Sequence, residues 1–503
     1  MWRSSFLIVI ACSPPVRADD WRKFGRDWTH NAVTYEKGAP LNWQIEVPTD
    51  RGTSVIHSRN IKWSARLGSV GAVLGAPVIA NGLVWVGTNN DFPRDPTRQK
   101  DASVLMCFRE SDGKFLWQYV SPRLGNFDQD SPRQSMGSTP LVEGDWLWLI
   151  TNRCEMLCLD TCPLRRGVGP PRQVWKVDMR KEFGVVPICD EMLVGFMPSP
   201  AGDAERVYAV SGNGALEPDG KILAPNAPSL ICFAKRTGRV LWMDSSPGNN
   251  ILHLQRSSPL VINIRGRTQV VVGQGDGWLR SFEAQSGKLI WKCDLNPKGA
   301  KYSVSGQGRR NYVMATPVYY EDRIYIAPGQ DWAHGAGSGD NELYCIDPTG
   351  EGDVSAELEI GPRKARPNPN SRAVWRFGRS GNPDMKNAEP KYVFGRVLAN
   401  CTIADGLVYV GDHSGFLFCL DAMTGQLQWS HDLEDGLWSA PLWADGRIYA
   451  ASDDIVWIFA HGRQKKILNR VRMNRRIGVT PVYANGTLYI KTTDLLYAIR
   501  GDR

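Results

Sequence analysis

Ala404-Asp405-Gly406-Leu407-Val408-Tyr409-Val410-Gly411, continuing through Phe416-Leu417-Phe418-Cys419-Leu420-Asp421 to Thr424-Gly425-Gln426-Leu427-Gln428-Trp429, is the stretch whose reading decides the fold. Three short runs of β-branched, aliphatic and aromatic residues are separated by turn residues, which predicts strands meandering through tight hairpins. The last run closes on a tryptophan. Related endings are Asp112-Gly113-Lys114-Phe115-Leu116-Trp117, Thr237-Gly238-Arg239-Val240-Leu241-Trp242 and Ser286-Gly287-Lys288-Leu289-Ile290-Trp291.

The same unit recurs from about residue 75 to the C-terminus. It opens with a small residue and proline before a short apolar run, as in Ala76-Pro77-Val78-Ile79, then turns at Asn81-Gly82. The opening prolines are Pro77, Pro140, Pro200, Pro259, Pro317, Pro441 and Pro481, and a further unit opens near Asn400-Cys401-Thr402 without one. The shortest spacing, Pro441 to Pro481, is about 40 residues, the length of one four-stranded propeller blade. The chain is therefore read as all-β, a single eight-bladed β-propeller. The last unit, Gly478 to Arg500, supplies about three strands and no closing Trp. Asn60-Ile61-Lys62-Trp63 can supply the fourth and join the ring, leaving no free edge; an open solenoid would instead need polar caps.

The turn-Gly-x-x-x-Trp spacing has a physical reason. Glycine accepts the positive φ of the turn, and the tryptophan then falls on the outermost strand, where an indole of ~200 Å² can wedge against the next sheet. Trp63, Trp117, Trp175, Trp242, Trp291, Trp375 and Trp429 are the expected wedges.

Across 503 residues, 42% apolar and 22% charged residues suit a folded water-soluble protein. Lys and Arg exceed Asp and Glu, 60 to 52. The densest basic run, His461 to Arg476, has no interleaved aromatics, so it reads as a solvated blade edge and not as a nucleic-acid surface. At the N-terminus, Arg3, the apolar run Phe6 to Ala11, and Val16-Arg17-Ala18 resemble an export signal cleaved after Ala18. Val9-Ile10-Ala11-Cys12 also resembles a lipobox, which would leave Cys12 lipidated and the protein membrane-anchored. The expected organisation is a signal peptide at 1–18, an N-terminal extension at 19–59 and the propeller at 60–503, in a periplasmic or secreted protein. No later stretch approaches the ~20 apolar residues of a membrane-spanning helix.

The Thr-Gly-x-x-x-Trp ending resembles the tryptophan-docking motif of the pyrroloquinoline quinone (PQQ) propellers, over roughly residues 60 to 500. That superfamily holds quinoprotein alcohol dehydrogenases and non-catalytic relatives, including the lipoprotein subunit of the outer-membrane β-barrel assembly machinery. Asp20-Trp21-Arg22-Lys23-Phe24-Gly25 is similar to a short segment that often begins such chains. In the dehydrogenases a Gly-Asn loop gives an amide ligand to calcium beside the quinone. Ser211-Gly212-Asn213-Gly214 resembles it, with Asn213 in the ligand's place. The segment matching the catalytic Pro-x-Asp is Pro247-Gly248-Asn249, where an amide stands in place of the proton acceptor that alcohol oxidation needs. The adjacent Cys-Cys pair of many such enzymes is absent. The resemblance therefore implies a non-catalytic scaffold without cofactor. Its alternative is a PQQ- and calcium-dependent oxidoreductase using Asn213.

Among the 11 cysteines, Cys107, Cys158, Cys232, Cys345 and Cys419 share one position, the third strand of their units, and read as core filling. Cys154, Cys158 and Cys162 are open to three readings: free thiols, a local disulfide, or a metal site. Residues four apart on a strand lie ~13 Å from each other, which weighs against a metal. Gly273 to Gly277 lies between strands and reads as a hairpin turn, and Glu351 to Asn370 as a solvated insertion. The richest candidate ligand-binding loop is Gly329 to Asp340, which places Gln330, Asp331, Trp332 and His334 on a glycine frame after a strand. No hydrolase motif occurs. A monomer that binds a protein, peptide or polysaccharide through its central funnel or long loops is the expectation.

Overall fold

The computed structural model describes residues 20–48, 55–56, 58–69, 75–95, 97, 101–124, 135–187, 198–216, 221–252, 255–300, 302–303, 310–329, 341–361, 364–378 and 394–501. Blade 6 shows the plan: Thr402–Ala404, Leu407–Gly411, Phe416–Asp421 and Leu427–Asp432 pair antiparallel in sequence order. Its first hairpin turns at Asp405 and Gly406, both at positive φ, the conformation that Asn/Asp-Gly pairs tolerate. Eight sheets of four or five strands repeat this plan, and together they form an eight-bladed propeller. Their innermost strands are Val78–Ala80, Leu141–Glu143, Ala201–Gly202, Leu260–Ile264, Val318–Tyr320, Thr402–Ala404, Leu442–Ala444 and Val482–Ala484. We number the blades 1 to 8 in that order. No helix among the described residues is long and apolar enough to cross a membrane.

The ring closes as the sequence predicts. Ile61–Arg66 pairs antiparallel with Leu495–Arg500 as the outermost strand of blade 8, with Trp63 opposite Ala498. Two bonds clamp its ends, from Leu67 N–H to Asp494 C=O and from Arg500 N–H to Asn60 C=O, both 2.8 Å.

The indole wedges have a common geometry. Trp63, Trp175, Trp242 and Trp375 lie against Gly113, Gly238, Gly287 and Gly425 of the next blade, so close that a Cβ on each glycine would meet the indole at 2.6–2.7 Å. Each indole N–H donates to a carbonyl of that blade: Glu110, Lys235, Ala284 and Ala422. Trp429 donates likewise to Gly462. Trp291 differs: its N–H donates to Gln269 Oε1, and Gln269 Nε2 donates onward to Pro348 C=O of blade 5. Trp117 packs edge-on against Trp85 of its own blade, beside a junction where the short helix Cys162–Arg165 replaces the glycine turn. In blade 7 the position is Asn469, whose side chain donates to Leu41 C=O of the N-terminal segment.

Directly across the ladder from these tryptophans stand Cys107, Cys158, Cys232, Ser281, Cys345, Cys419 and Ala498. The core-filling role read for the five cysteines follows from this register: a small side chain leaves space for the indole. All five are buried and free, as is Cys154, and Cys162 is free and partly exposed.

Residues 20–48 pack against the propeller as a strap. Trp21 pairs with Ile79 of blade 1, Arg22 C=O accepts from Val142 of blade 2, and Thr29 C=O accepts from Tyr319 of blade 5. Asn31 exchanges both amide groups with the backbone of Ile403 in blade 6. Val33–Thr34 then adds a parallel strand to the inner edge of blade 7. Inner strands carry unpaired backbone groups on their axial side, and the strap supplies partners to them. Glu357–Gly361 and Lys364–Pro367 form a separate exposed hairpin within the Glu351 to Asn370 insertion.

Candidate functional site: the axial cavity

The small residue that opens each unit has a structural duty. Ala76 N–H donates to Thr139 Oγ1, Thr139 N–H to Ser199 Oγ, Ser199 N–H to Ser258 Oγ, Ser258 N–H to Thr316 Oγ1 and Thr316 N–H to Asn400 Oδ1, all at 2.9–3.0 Å. A belt of side-chain acceptors thus ties blades 1 through 6 around the axis. The proline that follows has no N–H to satisfy, which suits a residue beside the channel.

The belt surrounds a cavity of about 90 Å³ whose walls include Phe24, Arg256, Met314, Leu398, Trp438 and Ser439. Phe24 comes from the strap. Trp438 and Arg256 precede the inner strands of blades 7 and 4. Arg256 is 5% exposed. Leu252, Tyr312, Met314 and Leu398 form one apolar cluster with Trp438 packed on it. The Trp438 indole is held by the edge of His413, 4.9 Å between ring centroids, and by the Arg476 guanidinium 4.9 Å from its ring. Burial, with Arg396 and Arg476 nearby, keeps His413 below its ordinary pKa and therefore neutral at pH 7. Beside it, burial raises Asp412 to about 6, although its carboxylate accepts from the N–H groups of Gly395, Ser414 and Phe416. Ser439 Oγ has no hydrogen-bond partner among the described residues. Guanidinium, hydroxyls and one apolar wall suit the polar end of an extended chain. The volume is well below the ~300–1,000 Å³ of small-molecule pockets.

The other singled-out residues lie elsewhere. Asn213 is buried at φ 44°, bracing a loop: its Oδ1 accepts from Val186 N–H, and its Nδ2 donates to Ala227 and Pro228 C=O. Asn249 sits exposed in the single turn Gly248–Asn250. No group of three or more His, Cys, Asp or Glu that could hold a metal occurs among the described residues. Asn213 thus spends both ends of its amide on backbone partners. Gly273 to Gly277 is a hairpin turn locked by Arg280, which bonds Asp276 at 2.7 Å and Gln274 at 2.6 Å. Gln330, Asp331, Trp332 and His334 lie outside the described residues, as do Cys12 and the export segment. The strap's path and the acceptor belt escaped sequence reading. The recurrent Thr/Ser-Pro openings were the signal available for the belt.

A model of the family described as outer membrane protein assembly factor BamB matches residues 170–361 and 365–495. The chain belongs to that family. Within the broader PQQ-like propeller superfamily, BamB from Moraxella catarrhalis superposes with a TM-score of 0.53 at 12% identity, covering 88% of this chain and 99% of that one. Quinohemoprotein alcohol dehydrogenase from Comamonas testosteroni gives 0.61 at 11% identity, over 96% of this chain and 81% of that one. The dehydrogenase ADHIIG from Pseudomonas putida HK5 gives 0.56 at 12%, over 96% and 80%. Identities this low report shared fold. No curated protein matches the sequence.

Proposed function

We propose that this BamB-family propeller is an exported, non-catalytic binding scaffold whose axial cavity receives part of a protein, peptide or polysaccharide partner. The observation that carries the reading is the cavity's chemistry. Its wall combines Phe24 of the strap with Arg256, Ser439 and the Trp438 indole. None of the side chains named on its wall is a carboxylate, imidazole or thiol that could accept a proton near neutral pH. The family match to an assembly factor supports a scaffold with protein partners, and the leader-like N-terminus supports export to the periplasm or cell surface. The reading requires no cofactor and treats the chain as a monomer.

The likeness to quinohemoprotein alcohol dehydrogenases keeps one competing reading in play, a PQQ- and calcium-dependent oxidoreductase. Mixing the purified protein with PQQ and calcium, then following quinone absorbance after gel filtration and dye-linked alcohol oxidation, separates the two. The scaffold reading expects neither retained quinone nor turnover. Stoichiometric quinone with turnover would overturn it. A photoreactive side chain at Trp438 should crosslink to the partner in intact cells, whereas one at exposed Val168 should not.

A further inference from the structure

On the strap side of the ring, a second pocket of about 300 Å³ lies between the strap and blades 2 and 3, with Lys23, Arg26, Asp27, Trp28, Glu143 and Gly202 in its wall. It is distinct from the axial cavity, and nothing in the proposed scaffold role uses it. Lys23 is only 6% exposed. Its ammonium makes no hydrogen bond among the described residues, although Asp20, Asp27 and Glu143 share the pocket wall with it and Asp27 and Glu143 favour its charge. Glu143 accepts from Lys235 Nζ at 2.5 Å. Asp27 accepts from Thr29 through both N–H and Oγ1. Asp20 accepts from Asn81 N–H and Asn485 Nδ2. A largely buried ammonium that makes no hydrogen bond gains from an acceptor, and the pocket is where one can arrive. The complement to Lys23 is an anionic oxygen, since charge-assisted hydrogen bonds are the strong ones.

A second feature narrows the class. Trp28 is 50% exposed at this pocket, yet its indole is braced by Tyr319, with ring centroids 5.4 Å apart. A fixed, half-exposed indole offers a π-face to the C–H face of a pyranose ring. We propose that the pocket binds a hexuronate unit of an acidic saccharide, its carboxylate on Lys23 and its ring over Trp28. At about 300 Å³ the space is at the small end for ligand pockets, which suits a sugar or two. Burial lowers the Lys23 pKa to about 8, with Asp27 and Glu143 opposing the shift and Lys235 adding to it. The anion therefore binds the charged amine below that pH and progressively loses it above.

Calorimetric titration of the full chain with digalacturonic acid tests the assignment, with cellobiose and sodium acetate as the neutral-sugar and simple-anion probes. Saturable one-to-one binding is expected, weakened about tenfold or more by Lys23→Met and by Trp28→Ala. Cellobiose and acetate should bind at least about tenfold more weakly, and affinity should fall above pH about 8. Three results would overturn the proposal: no saturation, binding that both variants leave unchanged, or acetate matching the uronate. Lys23→Met removes a buried charge at nearly constant length; should it fail to fold, the surface variant Trp28→Ala decides alone. Crosslinking at Trp438 is indifferent to all of these, so failure here and failure of the scaffold reading are separable.

Discussion

At the scale of the residue, inter-blade packing rests on a pair: an indole on the outermost strand and a small side chain across the ladder from it. Trp242 lies over Gly287, donates to Ala284 C=O at 2.9 Å and faces Cys232. Trp242→Ala removes a large wedge that the rigid neighbouring blade cannot refill, and should cost ~3–5 kcal/mol in chemical denaturation. Cys232→Leu should cost ~1–3 kcal/mol from the opposite cause, overpacking beneath the indole. Burial pushes the thiols of Cys158, Cys232, Cys345 and Cys419 up to about 12. They should stay unreactive to a disulfide reagent at pH 8 in the native protein and react fully once it is unfolded; prompt native labelling would contradict their placement. Lys23 gives a further signature. Its folded pKa, about 8, lies below that of a free lysine. Between pH about 8 and 10 the unfolded chain holds the proton that the folded one has released, so this group's contribution to stability rises with pH across that window. Denaturation at neutral pH and at pH about 10 should show the rise, and Lys23→Met should reduce it.

At the scale of the element, two devices turn a row of sheets into a ring. One is the closing strand Ile61–Arg66, which gives blade 8 its outer edge and its Trp63. Deleting residues 60–67 should lower the thermal midpoint and leave Leu495–Arg500 rapidly exchanging its amide protons; an unchanged midpoint would refute the closure. The other device is the belt at the start of each inner strand. Thr139→Val keeps the shape but takes the acceptor from Ala76 N–H, and should cost ~1–3 kcal/mol as a buried donor left unpaired. Thr139→Ser keeps the oxygen and should cost less.

At the scale of the whole molecule, the strap is the only described segment outside the repeat that reaches blades 1, 2, 5, 6 and 7 by main-chain or amide bonds. It also carries Phe24 into the axial cavity and Lys23 into the second pocket. One segment therefore shapes both candidate sites. Removing residues 20–34 should destabilise the ring broadly, because inner strands lose backbone partners that water reaches poorly. Phe24→Ala, in contrast, should leave the midpoint nearly unchanged while opening the cavity, visible as faster hydrogen exchange at Thr139 and Ser199.

The eight-blade repeat, the closing strand and the shared position of five cysteines were legible in the sequence, because each is a local rule repeated at a fixed interval. A turn glycine, a terminal indole and an opening proline leave the same mark in every copy. The sites left no such mark. Gln269 relaying Trp291 to blade 5, Asn469 meeting Leu41, and the strap bringing Lys23 beside Glu143 join residues 79, 428 and 120 positions apart. Local preference dictates each strand. Which strands' ends converge on the axis, which polar atoms are already spent there, and which buried amine makes no hydrogen bond are properties of the closed ring, since desolvation and hydrogen-bond supply are set by every neighbour at once.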